Sequence, residues 1–107
     1  MKIVEYLTDD GVSPFRNWFD VLESRAAAKV TTAMVRLGMG NTSNVKSVGG
    51  GVHEYKIDYG PGYRVYFGMD GKELVILLGG GTKKRQSSEI RTAALHWTDY
   101  KKRKKRR

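Results

Sequence analysis

Midway along the chain the hydrophobic pattern changes its period, and that change limits the folds open to it. Up to residue 39 apolar side chains recur at helical spacing, and from Val52 onward they alternate. Phe15, Trp18, Phe19 and Leu22 make one stripe, and Val30, Ala33, Met34 and Leu37 make another, which predicts a helix beginning at Ser13-Pro14 and a second over 24–39. Ser13 suits an N-cap, Pro14 the first helical position, and Gly38 and Gly40 the end of the second helix. The connection between them is brief, so an antiparallel helical hairpin is expected.

The second half reads as strands. Tyr55 and Ile57 fall opposite Glu54, Lys56 and Asp58, and Tyr63, Val65 and Phe67 fall opposite Arg64 and Tyr66. Gly60-Pro61-Gly62 and Asp70-Gly71 are turn signals, and the apolar run ending at Leu78 suits a strand buried on both faces. Residues 1–8 form a short first strand. The stretch 41–51, rich in Gly, Ser and Asn, reads as a loop. Ser87 or Ser88 opens a last short helix through Trp97. The expected fold is α+β: a small twisted antiparallel sheet, an N-terminal helical hairpin on one face, a short C-terminal helix, and an opposite face left partly open.

At 107 residues the chain suits one domain, expected over 1–100, with residues 101–107 as a disordered basic tail. The formal charge is +9, but seven of the 20 basic residues lie in that tail, leaving 13 against 11 acidic ones in the body. The tail reads as a solubilising end, as a segment added for expression, or as an arm that grips phosphates through Lys101, Lys102 and Arg103. No cysteine is present, which removes disulfides and thiolate chemistry and fits a reducing cytoplasm. The first residues are too short an apolar run for a signal peptide, and no stretch approaches the length of a membrane span. A cytoplasmic protein with no membrane partner is expected.

Lys56 and Arg64 lie on adjacent predicted strands and both alternate away from the helices. Lys83, Lys84 and Arg85 follow the last strand, so all five are expected around one concave surface. Arginine's planar fork suits phosphate, and lysine adds a compact charge. The blander reading has the same residues as solvated strand faces paired with Glu54, Asp58 and Glu89, and composition alone does not decide between the two. Tyr66 shares the Arg64 face and is the candidate for stacking on an RNA base, whereas Tyr55 and Tyr63 read as packing. The run from Gly79 to Lys84 lacks the spacing of a triphosphate-binding loop. His53 and His96 are isolated from each other, with no ligand-spaced partner, and the carboxylates Glu54, Asp58 and Asp70 are scattered. A zinc site is therefore not expected, a magnesium-dependent site on the scattered carboxylates is the weaker reading, and no cofactor is expected.

The stretch Val52-His53-Glu54-Tyr55-Lys56-Ile57-Asp58-Tyr59-Gly60-Pro61-Gly62-Tyr63-Arg64-Val65-Tyr66-Phe67 resembles the central segment of the RelE/HigB-like toxins of type II toxin–antitoxin systems, in particular the addiction-module killer subgroup. Leu77-Leu78-Gly79-Gly80-Gly81-Thr82-Lys83-Lys84-Arg85-Gln86 and Phe15-Arg16-Asn17-Trp18 extend the resemblance over most of residues 1–100. It implies a RelE-like fold and a metal-independent endoribonuclease (an mRNA interferase) that cuts translated messenger RNA on the ribosome and arrests growth. It also implies a helix-turn-helix, HigA-like antitoxin as partner, with operator DNA bound indirectly through it. Carried over by position, Arg64 would stabilise the scissile phosphate, Lys56 would be the basic residue of the preceding strand, and Lys83, Lys84 and Arg85 the basic patch. His96 and Tyr100 are the candidates for the acid or base that the family places near its C-terminal end.

The chemistry so implied is attack of a 2′-hydroxyl on the neighbouring phosphate, with Arg64 and Lys84 as charge stabilisers and Lys56 as the base if the surrounding cations favour its uncharged form. Two other classes fit the same residues. One is a non-catalytic RNA- or ribosome-binding module. The other is an inactive toxin that serves only as an antitoxin partner or co-repressor.

Overall fold

The computed structural model describes residues 1–106. In chain order they form β1 (Lys2–Glu5), α1 (Pro14–Asp20), α2 (Ser24–Gly38), β2 (Val45–Gly49), β3 (Val52–Ile57), β4 (Tyr63–Asp70), β5 (Leu74–Thr82), a 3₁₀ turn (Lys83–Arg85) and α3 (Gln86–Lys105). The strands make one sheet in the order β1-β5-β4-β3-β2. β1 runs parallel to β5 and every other pair is antiparallel, so the sheet is mixed rather than antiparallel as expected. No helix is long and apolar enough to cross a membrane, among the described residues.

Local chemistry sets the helix starts. The Ser13 hydroxyl accepts the Arg16 N–H at 2.9 Å with Pro14 following, and the Glu23 carboxylate accepts the N–H groups of Arg25 and Ala26. Each takes up backbone donors that a helix leaves unpaired at its first turn. The stripes on α1 and α2 then bury Phe15, Val30, Ala33 and Leu37 against Tyr55, Ile57, Val65, Phe67, Val75 and Leu77 of the sheet. An apolar groove of about 520 Å³, walled by Phe15 and Phe19 on one side and Val30 and Met34 on the other, separates the two helices. They lie on one face as expected, but as two helices laid on the sheet after β1 rather than as a hairpin at the N-terminus.

Three further expectations are corrected. The stretch 41–51 is not all loop. β2 pairs with β3 as an edge strand with a register shift between Ser47 and Gly49, and that shift breaks the alternation by which a strand is recognised. The opposite face is not open, because α3 covers it: Ala93 and Trp97 pack on Val52, Tyr66, Ile76 and Leu78, with Tyr6 beside them. Finally, α3 is 20 residues long and takes in 101–105 of the supposedly disordered tail; Arg107 lies outside the described residues. Polar anchors hold that end. Tyr100 donates to Asp70 at 2.6 Å, Lys104 reaches the same carboxylate, and Arg103 bonds Asp99 and the Leu7 carbonyl. These contacts carry no hydrophobic period, so periodicity alone ends the helix too early.

Two glycines let α3 sit so close. A Cβ added at Gly68 would stand 2.4 Å from the Trp97 ring, and one at Gly51 would stand 2.6 Å from its Nε1. Only glycine at these two points, one in β4 and one in the β2–β3 turn, admits the indole.

Candidate nucleic-acid interface

Strand register brings the predicted residues of β3 and β4 together. Lys56 lies beside Arg64, and Glu54 beside Tyr66. Across the next strand pair Arg64 meets Gly81 and Tyr66 meets Gly79. All four side chains alternate onto the α3 side of the sheet, at the end where α3 begins.

Arg64 is held there from several directions. It is 5% exposed, and Nη1 donates to the Gly62 carbonyl at 2.8 Å. Its Nε stands 3.2 Å from Oε1 of Glu54, which is itself 1% exposed. That N–H is not directed at the carboxylate, so the contact is an ion pair without a well-formed hydrogen bond. Gln86, the first residue of α3, donates to the same Oε1 at 2.6 Å. The Gly62 carbonyl also accepts the Lys83 N–H at 3.0 Å, which ties the 3₁₀ turn to the Arg64 guanidinium. Gly62 has φ +79, and a Cβ there would stand 3.3 Å from Nη1. A glycine is therefore needed both for the turn and for the approach.

Arg64 and Glu54 line an open cleft of about 360 Å³, together with residues 43–46 and Lys56. Lys56 and Lys46 are exposed at its rim, and Lys46 stands 3.8 Å from Oε2 of Glu54. Two cations, Arg64 and Lys46, thus flank one carboxylate, and Lys56 lines the same cleft. A buried guanidinium locked by a carboxylate and a carbonyl has its orientation fixed in advance, and Glu54 already balances its charge.

The rest of the predicted set separates. Lys83, Lys84 and Arg85 are exposed on the turn that Gly62 holds, next to the cleft but not lining it. Tyr66 is 1% exposed beneath α3, so its ring is core and cannot stack on a base as expected. His96 stacks on Tyr6 at 4.9 Å and lines a different cavity. Burial holds its imidazole below its ordinary value, with Asp99 pulling the other way. Tyr100 stacks on Trp97 and bonds Asp70, at the far end of β4. At roughly 3.3 Å per residue that end is about 20 Å from Arg64, so Tyr100 is not an acid or base for the cleft. Lys101 lies over the Trp97 ring at 5.7 Å, Lys102 is exposed, and Arg103 spends its fork internally. A helix rising about 1.5 Å per residue sets these basic residues roughly 24 Å beyond Gln86, making a second zone rather than part of the cleft.

From the sequence Glu54 is a neutralising partner or one of three scattered carboxylates, and Lys46 and Gln86 are given no role. Glu54 was within reach, since alternation puts it two residues from Lys56 on the same face. Lys46 needed β2 to be recognised, and Gln86 needed the true start of α3.

No family model matches the chain. A protein of Haemophilus influenzae described as "Uncharacterized protein" is 44% identical to it over 82 residues, which span 76% of this chain and 83% of that one.

Proposed function

We propose that this chain, which belongs to the same family as the uncharacterised Haemophilus influenzae protein, is a ribosome-dependent endoribonuclease with a RelE-like fold, acting in the bacterial cytoplasm as the toxin of a toxin–antitoxin pair. The observation that carries the reading is the juxtaposition of Lys56 and Arg64 across β3 and β4, with Arg64 locked by Glu54 and Gly62 on the floor of an open cleft. The resemblance of 52–67 and 77–86 to RelE/HigB-like toxins supports the same assignment.

In this reading the phosphate of a bent RNA strand sits against Arg64. The neighbouring 2′-hydroxyl attacks phosphorus, the new P–O2′ bond forms as the P–O5′ bond breaks, and the products are a 2′,3′-cyclic phosphate and a 5′-hydroxyl. Lys56 takes the 2′ proton, a lysine of the 83–84 turn returns one to the departing 5′ oxygen, and Arg64 stabilises the charge that gathers between them. Glu54 and Gln86 are positioning residues that hold Arg64. The ribosome supplies the orientation of the message, and a helix-turn-helix antitoxin supplies the restraint.

Mapping the 5′ ends of cellular messages after a pulse of expression tests this. New 5′-hydroxyl ends within translated regions, with growth arrest, are expected from the native chain and not from Arg64→Ala. Arrest with no new ends would leave a non-catalytic RNA- or ribosome-binding module. That second reading is favoured by one observation, the absence of His96 and Tyr100 from the cleft lining.

A further inference from the structure

A surface helix usually turns its charged residues away from the sheet it lies on. In α2 that position is held by Ser24, Ala28, Thr31 and Val35, with Met39 just past the end, and all five are exposed and uncharged. They recur at helical spacing opposite the buried Ala26, Val30, Ala33 and Leu37. Val35 is 58% exposed and Met39 79%, and the Thr31 hydroxyl is already bonded to the Ala27 carbonyl.

On one side this crown runs into the groove of about 520 Å³ between α1 and α2. Ile3, Phe19 and Met34 line the groove and are only partly buried, so a visiting side chain can touch them. Its charged lining residues, Glu5 and Arg16, stand 2.6 Å apart and satisfy each other, which leaves apolar contact as the groove's main offer. Crown and groove thus form one continuous apolar surface, the kind that marks an interaction site on a soluble domain.

The other side of the crown is basic. Arg25, Lys29 and Arg36 are exposed there, and residues 24–38 contain no carboxylate. Glu23, at the start of the helix, is bonded to the N–H groups of Arg25 and Ala26. Below Lys29 and Arg36 lies a recess of about 280 Å³, in which Asp58 is the one carboxylate among the lining residues.

These features choose among occupants. A nucleic acid would suit the three cations and leave Val35, Met39 and the groove without a partner. A second copy would meet each cation with more of the same sign, because its own α2 has no carboxylate to offer. A helix with an apolar stripe and acidic residues along one flank satisfies both sides at once, its anchors recurring at the spacing of the crown. We propose that α2 is the docking surface for such a helix from a partner protein, with the apolar stripe on Val35, Met39 and the groove, and the acidic flank on Lys29 and Arg36. Neither Val35 nor the groove lines the Arg64 cleft, so this assignment stands apart from the RNA-cleaving reading.

The test uses the full chain and two synthetic amphipathic helices with the same leucine stripe, one flanked by glutamates and the other by lysines. Binding is followed by NMR amide shifts at low salt. The glutamate peptide is expected to bind about tenfold or more tighter than the lysine peptide, with shifts centred on Phe19, Thr31 and Val35. Val35→Asp and Met39→Asp, both at exposed positions, should each weaken it, and Leu95→Asp, at an equally exposed apolar site on α3, should not. Lys29→Glu combined with Arg36→Glu should reverse the preference. Binding of neither peptide at millimolar concentration, equal binding of both, a preference that survives the charge swap, or shifts centred on α3 would overturn the proposal. Sedimentation of the native chain is expected to show a monomer. A dimer that Val35→Asp splits would give the surface to a second copy and overturn the partner helix. Loss of message cutting in the expression experiment would remove the nuclease reading and leave this titration to judge α2.

Discussion

Glu54 is buried beside Arg64, Lys46 and Gln86, and this makes it the residue whose removal should be felt most. Taking away one member of a buried ion pair leaves the other desolvated and uncompensated. Glu54→Ala is expected to lower unfolding free energy by about 3–5 kcal/mol, measured by urea titration. Replacing Glu54 and Arg64 together by apolar residues of similar size should recover much of it while abolishing RNA cleavage. Recovery in the double variant would show that the pair is retained for its charge and not for stability. His96 gives a pH test. Burial lowers its affinity for a proton in the folded state, so the unfolded chain binds protons more readily. The stability it permits is fully present above the ordinary imidazole value near 6.5 and is lost as pH falls below it. His96→Gln should flatten the stability profile between about pH 5 and 7; an unchanged slope would place the titrating group elsewhere.

Among the elements, α3 depends on the glycines beneath it. Gly68→Ala would push a methyl into the Trp97 ring, and the expected cost is about 1–3 kcal/mol, with a shift in indole fluorescence. The same change at Gly71, which has open space around it, should leave the fluorescence unmoved. How far each element was legible follows from what stabilises it. α1, α2 and strands β3 to β5 are written in apolar periods and turn residues, and these were read. β2 is an edge strand with a bulge, whose partner supplies half its order. The last turns of α3 are held by Asp70 and Asp99, which lie elsewhere on the sheet or carry no hydrophobic signal. Because the last helix was not laid on the second face of the sheet, Tyr66 was placed on an open face and assigned to stacking, although Ala93 and Trp97, which cover it, lie within the helix as expected. The Lys56–Arg64 pairing survived, since it needs only alternation on two strands joined by one turn.

Taken together, the protein carries two basic zones, the cleft at the start of α3 and the exposed lysines toward its end. They should separate experimentally. The affinity for single-stranded RNA is expected to fall with salt, each lost phosphate contact reducing the logarithmic slope by about 0.7. Lys101→Ala with Lys102→Ala should reduce that slope and leave cut sites where they were. Lys56→Ala should abolish cutting with a smaller change in slope. If the C-terminal pair changed the position of cutting, the two zones would be acting as one.

The parallel pairing of β1 with β5 has a bearing on how such a protein comes into being. During synthesis β1 finds its hydrogen-bonding partner only once residues 74–77 have been added, and a contact of such long sequence separation forms slowly. Until then α1 and α2 have apolar stripes and no finished sheet to lay them on. A nascent copy therefore carries Lys56 and Arg64 before it owns the frame that seats them, and on the proposed reading its own message is translated before the cleft is finished.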